Sequence, residues 1–158
     1  MAICAYPREA IRHALDGFGV LMPQREHRNT LGTIFSSTLF DNRAPRELAL
    51  LTTFVGGMRQ PEFARLNDND IADIVQAEHA DVLGTPAHAE FVRVRRWARA
   101  IPQYTLGHLG RIATIEAAER GFPGIFFCAN YRGGVAIGDC IKSADRVASE
   151  VAEFLRGD

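Results

Sequence analysis

The sequence predicts an α+β fold: an antiparallel or mixed sheet with helices packed on it, followed by a strand–helix unit at the C-terminal end. Three observations predict it. Four early segments, residues 3–6, 18–22, 31–36 and 48–55, are apolar, mostly rich in β-branched and aromatic residues, and separated by polar turn formers. From Asn67 the apolar period changes from strand-like to helical. After residue 122 the run PGIFFCANYRGGVAIGDCIKSADRVASEVAEFLR reads as a short strand, a glycine-rich turn and a long amphipathic helix.

The first strand opens almost at residue 1, an abrupt start from which a preceding segment is expected. Residues 23–29 are charged and suit a hairpin loop. Residues 37–47 contain Asp41, Asn42 and Pro45 and read as a longer loop, and Gly56 and Gly57 end the fourth strand. Asn67 is placed to cap a helix whose first turn carries Asp68 and Asp70, and Ile71, Ile74, Val75, Val82 and Leu83 fall on one face before Gly84 and Pro86 stop it. Residues 91–97 are a further strand candidate. Residues 107–120 read as a helix with Leu109, Ile112 and Ala113 inward, closed by Gly121 and Pro123. Ile125, Phe126 and Phe127 form a continuous apolar run that suits a strand covered on both faces. In the last helix Ile141, Ala144, Ala148, Val151, Ala152 and Leu155 recur at helical spacing.

The chain is the size of one domain, and its 18 Lys plus Arg against 19 Asp plus Glu give no electrostatic argument for nucleic acid. The arginines at 93, 95, 96 and 99 read as a solvated face rather than a phosphate grip. Cys4, Cys128 and Cys140 are odd in number and lack CxxC spacing, so neither a disulfide framework nor a zinc site is implied, and a reducing compartment fits best. The five histidines show no metal-ligand spacing; His108, between Gly107 and Gly110, is read either as reaching the active site or as a surface residue at a helix start, and Cys140 as packing. No run approaches a membrane span, so the expected location is cytoplasmic, at most peripheral to a membrane.

Five stretches, LDGFGVLMP at 15–23, TLGTIFSSTLFDNRAP at 30–45, LLTTFVGG at 50–57, IPQYTLGH at 101–108 and ANYRGGVAIGDCI at 129–141, together resemble the C-terminal part of the protoporphyrinogen oxidase family of FAD-dependent flavin amine oxidases. The resemblance implies a segment of the substrate-binding domain over residues 1–123 and, over 124–158, the strand–helix that completes the FAD-binding part. It implies a tetrapyrrole pocket lined by Leu21, Ile34 and Phe54, apolar side chains suited to the broad faces of a porphyrinogen. It also implies a flavin contact at Gly134, Val135 and Ala136, with Trp97 and Tyr104 nearby.

The family's dinucleotide half is missing. Its GxGxxG turn is absent here, since Gly17 and Gly19 give only DGFGVLM. The chain is therefore expected to be a piece of such an enzyme, whether an excised domain, a truncated product or half of a split enzyme, inactive alone and binding no FAD by itself. The parent reaction would pass hydride from a porphyrinogen to FAD, which molecular oxygen reoxidises. Set against this is a non-catalytic module that binds tetrapyrrole or docks to a separate FAD-binding subunit. Uncovered Phe126 and Phe127, at about 1.5 to 3 kcal/mol each, predict self-association.

Overall fold

The computed structural model describes residues 1–157, which form two compact units, residues 1–98 and residues 99 onward. The first unit holds a five-stranded sheet of β1 (Ala2–Pro7), β2 (Gly19–Leu21), β3 (Gly32–Phe35), β4 (Leu48–Phe54) and β5 (Phe91–Val94), in the order β2-β3-β4-β1-β5. Every pairing is antiparallel, which resolves the choice between an antiparallel and a mixed sheet. β1 lies between β4 and β5 with ladders on both sides, and its lack of polar alternation follows from burial on both faces, Ala2, Cys4 and Tyr6 on one and Ala5 on the other.

One face of the sheet is covered by α2 (Asp68–Leu83). Asn67 caps that helix, its Oδ1 accepting from the Asp70 N–H at 2.9 Å, and Gly84 ends it in the left-handed conformation at φ 64°. Ile71, Val75 and Leu83 are buried against Ala2, Cys4, Tyr6, Ala49, Leu51 and Phe35, while Ile74 and Val82 of the expected stripe are half-buried at its margins. Each fully buried aliphatic among them contributes about 1.5 to 3 kcal/mol. The carbonyls of Leu83 and Gly84 accept from His13 and Arg12, tying the helix end to the loop after β1.

Two local expectations in this unit change. The loop at 37–47 is entered through one helical turn, α1 (Ser36–Leu39), held on β4 by the Ser36–Thr52 hydroxyl pair at 2.8 Å and by Ser37 Oγ accepting from the Leu50 N–H at 2.9 Å. The strand expected over 91–97 ends at Val94, because its ladder to β1 reaches Ala2; beyond it Met1 and Arg95 exchange one further pair of bonds, the Arg95 N–H donating to the Met1 carbonyl and the Met1 ammonium to the Arg95 carbonyl.

The second unit contains α3 (His108–Gly121) and α4 (Ile137–Arg156). Residues 125–127 do not form the expected strand. No strand of this unit is present among the described residues to pair with them, and the Phe127 N–H donates to the Glu119 carboxylate instead. Nor does α3 bury the expected face: Leu109 and Ala113 are exposed and Ile112 is half-buried, since no sheet in this unit covers them. In α4 the buried seam runs through Ser143 and Val147. The apolar stripe of Ile137, Ile141, Ala144, Ala148, Ala152 and Leu155 is exposed within the unit. Among the described residues no helix is long and apolar enough to cross a membrane.

Candidate functional site

The face of the sheet opposite α2 is where Leu21, Ile34 and Phe54 come together. Gly32 of β3 is paired with Leu21 of β2 and with Phe54 of β4, so Leu21, Gly32 and Phe54 form one cross-strand row. Partners in a row point to the same side of the pleat, and Ile34, two residues beyond Gly32, shares that side. Leu21 is 85% exposed and Phe54 41%, with Ile34 half-buried between neighbours. Gly32 supplies no side chain between the two larger ones; a Cβ there would meet the Val20 carbonyl at 2.7 Å and the Leu21 side chain at 3.2 Å. The result is an outward-facing apolar surface with a gap at Gly32, flanked by an aliphatic and an aromatic side chain.

The other side of the same strands is polar at its centre, buried, and was not read from the sequence. Thr33 and Thr53, cross-strand partners, share a hydroxyl contact of 2.9 Å. Thr53 Oγ1 lies 2.6 Å from His79 Nε2, and the Tyr6 hydroxyl lies 3.1 Å from His79 Nδ1. Burial pushes His79 down to about 4 from its ordinary 6.5, so the ring is neutral at neutral pH. Burial likewise pushes Tyr6 up and Cys4 up to about 11. The signal was present: His79 falls on the i, i+4 stripe of Ile71, Val75 and Leu83, where a polar residue must find partners inside.

In the second unit the chain before α4 turns at Gly133 and Gly134, with φ of 84° and 134°. A Cβ on Gly134 would run into the Asp139 side chain, so any other residue there meets backbone strain and must also displace that carboxylate. The Gly134 N–H donates to the Tyr104 hydroxyl oxygen at 3.1 Å, and that hydroxyl donates to the Asn130 carbonyl at 3.0 Å. These two bonds tie the 101–108 segment to the glycine turn, and within that segment the Tyr104 ring stacks on His108 with centroids 4.0 Å apart. Arg132 donates to both Glu119 oxygens, at 2.9 and 2.8 Å. The Phe127 N–H, and after it Arg132, hold the Glu119 carboxyl below its ordinary value. Val135 and Ala136 are exposed, and among the described residues no side chain caps α4, whose first turn carries the Asp139 carboxylate toward its positive end. Trp97 belongs to the first unit, half exposed with the Arg95 guanidinium 5.7 Å from its ring centre.

Comparison with known proteins adds to these geometries. The family model for flavin containing amine oxidoreductases matches residues 2–152. A chloroplastic protoporphyrinogen oxidase of Nicotiana tabacum is 41% identical over 95% of this chain and 29% of its own length. The mitochondrial protoporphyrinogen oxidase of the same plant is 35% identical over 98% of this chain and 31% of its own. A coproporphyrinogen III oxidase of Bacillus subtilis (strain 168) is 26% identical over 95% and 32%. The chain thus spans about three tenths of the curated relatives it matches. A solved structure from Exiguobacterium sp. 255-15 superimposes with a TM-score of 0.78, covering 96% of this chain and 34% of that one, and at 22% identity it speaks for the fold alone.

Proposed function

The chain belongs to the flavin containing amine oxidoreductase family, and from that premise we propose that it is part of a porphyrinogen-oxidising flavoenzyme. In this reading residues 1–123 supply a wall for a flat tetrapyrrole and residues 124–158 complete the flavin-binding part. The observation that carries it is the shared open face of Leu21, Ile34 and Phe54, one apolar surface around the gap at Gly32 rather than three separate interiors. A planar macrocycle laid there covers aliphatic and aromatic surface without demanding hydrogen bonds from it. The names of the relatives, protoporphyrinogen and coproporphyrinogen oxidases, support the same substrate class.

Bound FAD supplies the electron acceptor for such an oxidation. The residues present fit one edge of it: Val135 and Ala136 are exposed, α4 starts without a side-chain cap although Asp139 already places one negative charge in its first turn, and Tyr104 holds Gly134 in place. They fit no more than an edge. With no GxGxxG in the 158 residues the pyrophosphate has no cradle here, and the chain by itself binds no FAD and turns over no substrate. Trp97 is assigned to the flavin side on the family pattern.

A second reading, favoured by the exposed apolar stripe of α4, is an assembly module that docks to a separate FAD-binding part or self-associates through that stripe. Titration of the whole chain with protoporphyrin IX, followed by the shift of its Soret band, tests the first reading. Saturable binding weakened about tenfold by Phe54→Ala, equivalent to about 1.4 kcal/mol, is expected. Binding indifferent to Phe54 and Leu21 would refute the wall, and stoichiometric flavin co-purifying with the chain would refute its dependence on another part.

A further inference from the structure

We propose that Arg93 holds a carboxylate arm of the tetrapyrrole at the far side of the open face, an assignment that rests on the tetrapyrrole wall proposed above. The register places it there. Arg93 of β5 pairs with Ile3 of β1, Ile3 with Thr52 of β4, and Thr52 with Ile34 of β3. These four residues form one cross-strand row, so all four share the side of the sheet that carries Leu21 and Phe54. Their alternates on β1 and β5, Cys4, Val92 and Val94, belong to or pack on the core beneath α2.

The row has a polarity matched to one kind of ligand. At one end lie Ile34 and the gap at Gly32; Ile3 and Thr52 continue it half-buried; at the other end stands an exposed guanidinium. Ile34 and Arg93 are three strand spacings apart, about 14 Å between backbones. That interval, shortened by the reach of an arginine side chain, is comparable to the length from a macrocycle to the carboxylate of one of its propionate arms. Arg93 has no carboxylate partner among the described residues, whereas Arg96 is paired with Asp68 and Arg95 lies over Trp97. An arginine presents a planar fork that takes a carboxylate through two parallel hydrogen bonds, which a hydrated lysine ammonium does not reproduce.

The test compares protoporphyrin IX, which carries two carboxylates, with its dimethyl ester, which carries none, on the whole chain and on Arg93→Met, Arg93→Lys and Phe54→Ala. Arg93→Met is expected to weaken the free acid about 5- to 10-fold and leave the diester unchanged, with Arg93→Lys between. Raising the salt concentration should weaken the acid more than the diester in the native chain and remove that difference in Arg93→Met. If Arg93→Met leaves the acid unchanged, or weakens acid and ester alike, while Phe54→Ala weakens both, the anchor is wrong and the wall stands. If neither porphyrin binds the native chain, the wall fails and the anchor with it.

Discussion

Acidification should loosen the first unit through His79 in particular. The ring is 2% exposed and held neutral by burial, with a pKa of about 4 against 6.5 in an unfolded chain. The unfolded state therefore binds more protons than the folded one between these values, so stability is fully present above pH 6.5 and is lost as pH falls toward 4. The gap is worth about 3 kcal/mol, a large part of the roughly 5 to 15 kcal/mol that holds a domain together. Urea unfolding followed by far-ultraviolet circular dichroism at a series of pH values measures it. At a slope of about 2 kcal/mol per molar urea the midpoint should drop by roughly 1.5 M across the window. His79→Gln retains a donor and an acceptor for Tyr6 and Thr53 but takes up no proton. It should lower stability at neutral pH and remove that part of the acid dependence. An unchanged acid slope in the variant, or a His79 ring titrating near 6.5 by NMR in the folded protein, would refute the argument.

Gly32→Ala sets a methyl group against the Val20 carbonyl and pushes on the Leu21 side chain; thermal unfolding should show a loss of about 1 to 3 kcal/mol, with weaker porphyrin binding in the same variant. Tyr104→Phe removes the hydroxyl that joins Asn130 to Gly134, and amide hydrogen exchange at Gly134 should rise about 3- to 10-fold while the sheet of the first unit keeps its protection.

The strands were legible because their signal is local. Runs of apolar, mostly β-branched and aromatic residues, and the glycines and turn formers between them, are read within a few residues, whereas the alternate burial of Ala49, Leu51 and Thr53 in β4 shows only in the structure. The capped start and glycine end of α2 are local too. What failed depends on partners distant in sequence. The run of Ile125, Phe126 and Phe127 has every property of a covered strand, yet a strand needs a ladder and none is offered among the described residues. The apolar stripes of α3 and α4 have the right spacing, but which stripe is covered is decided by what packs on it, and in α4 the seam turned toward Ser143 and Val147. At the candidate site the residues Leu21, Ile34 and Phe54 came from family resemblance, and their common side follows only from the register. His79 lacks metal-ligand spacing, but its place on the apolar stripe of α2 is the signal for the buried partners it finds in Tyr6 and Thr53.

On β3 and β4 the two kinds of chemistry alternate residue by residue: Thr33 and Thr53 serve the buried histidine, while Ile34 and Phe54 face outward. Inserting or deleting one residue in either strand would turn over every side chain beyond it, driving isoleucine and phenylalanine against an imidazole and stranding threonines on the outward face. Substitution can therefore retune the outward residues one at a time, but a shift in length within these strands destroys the buried network and the outward apolar face together.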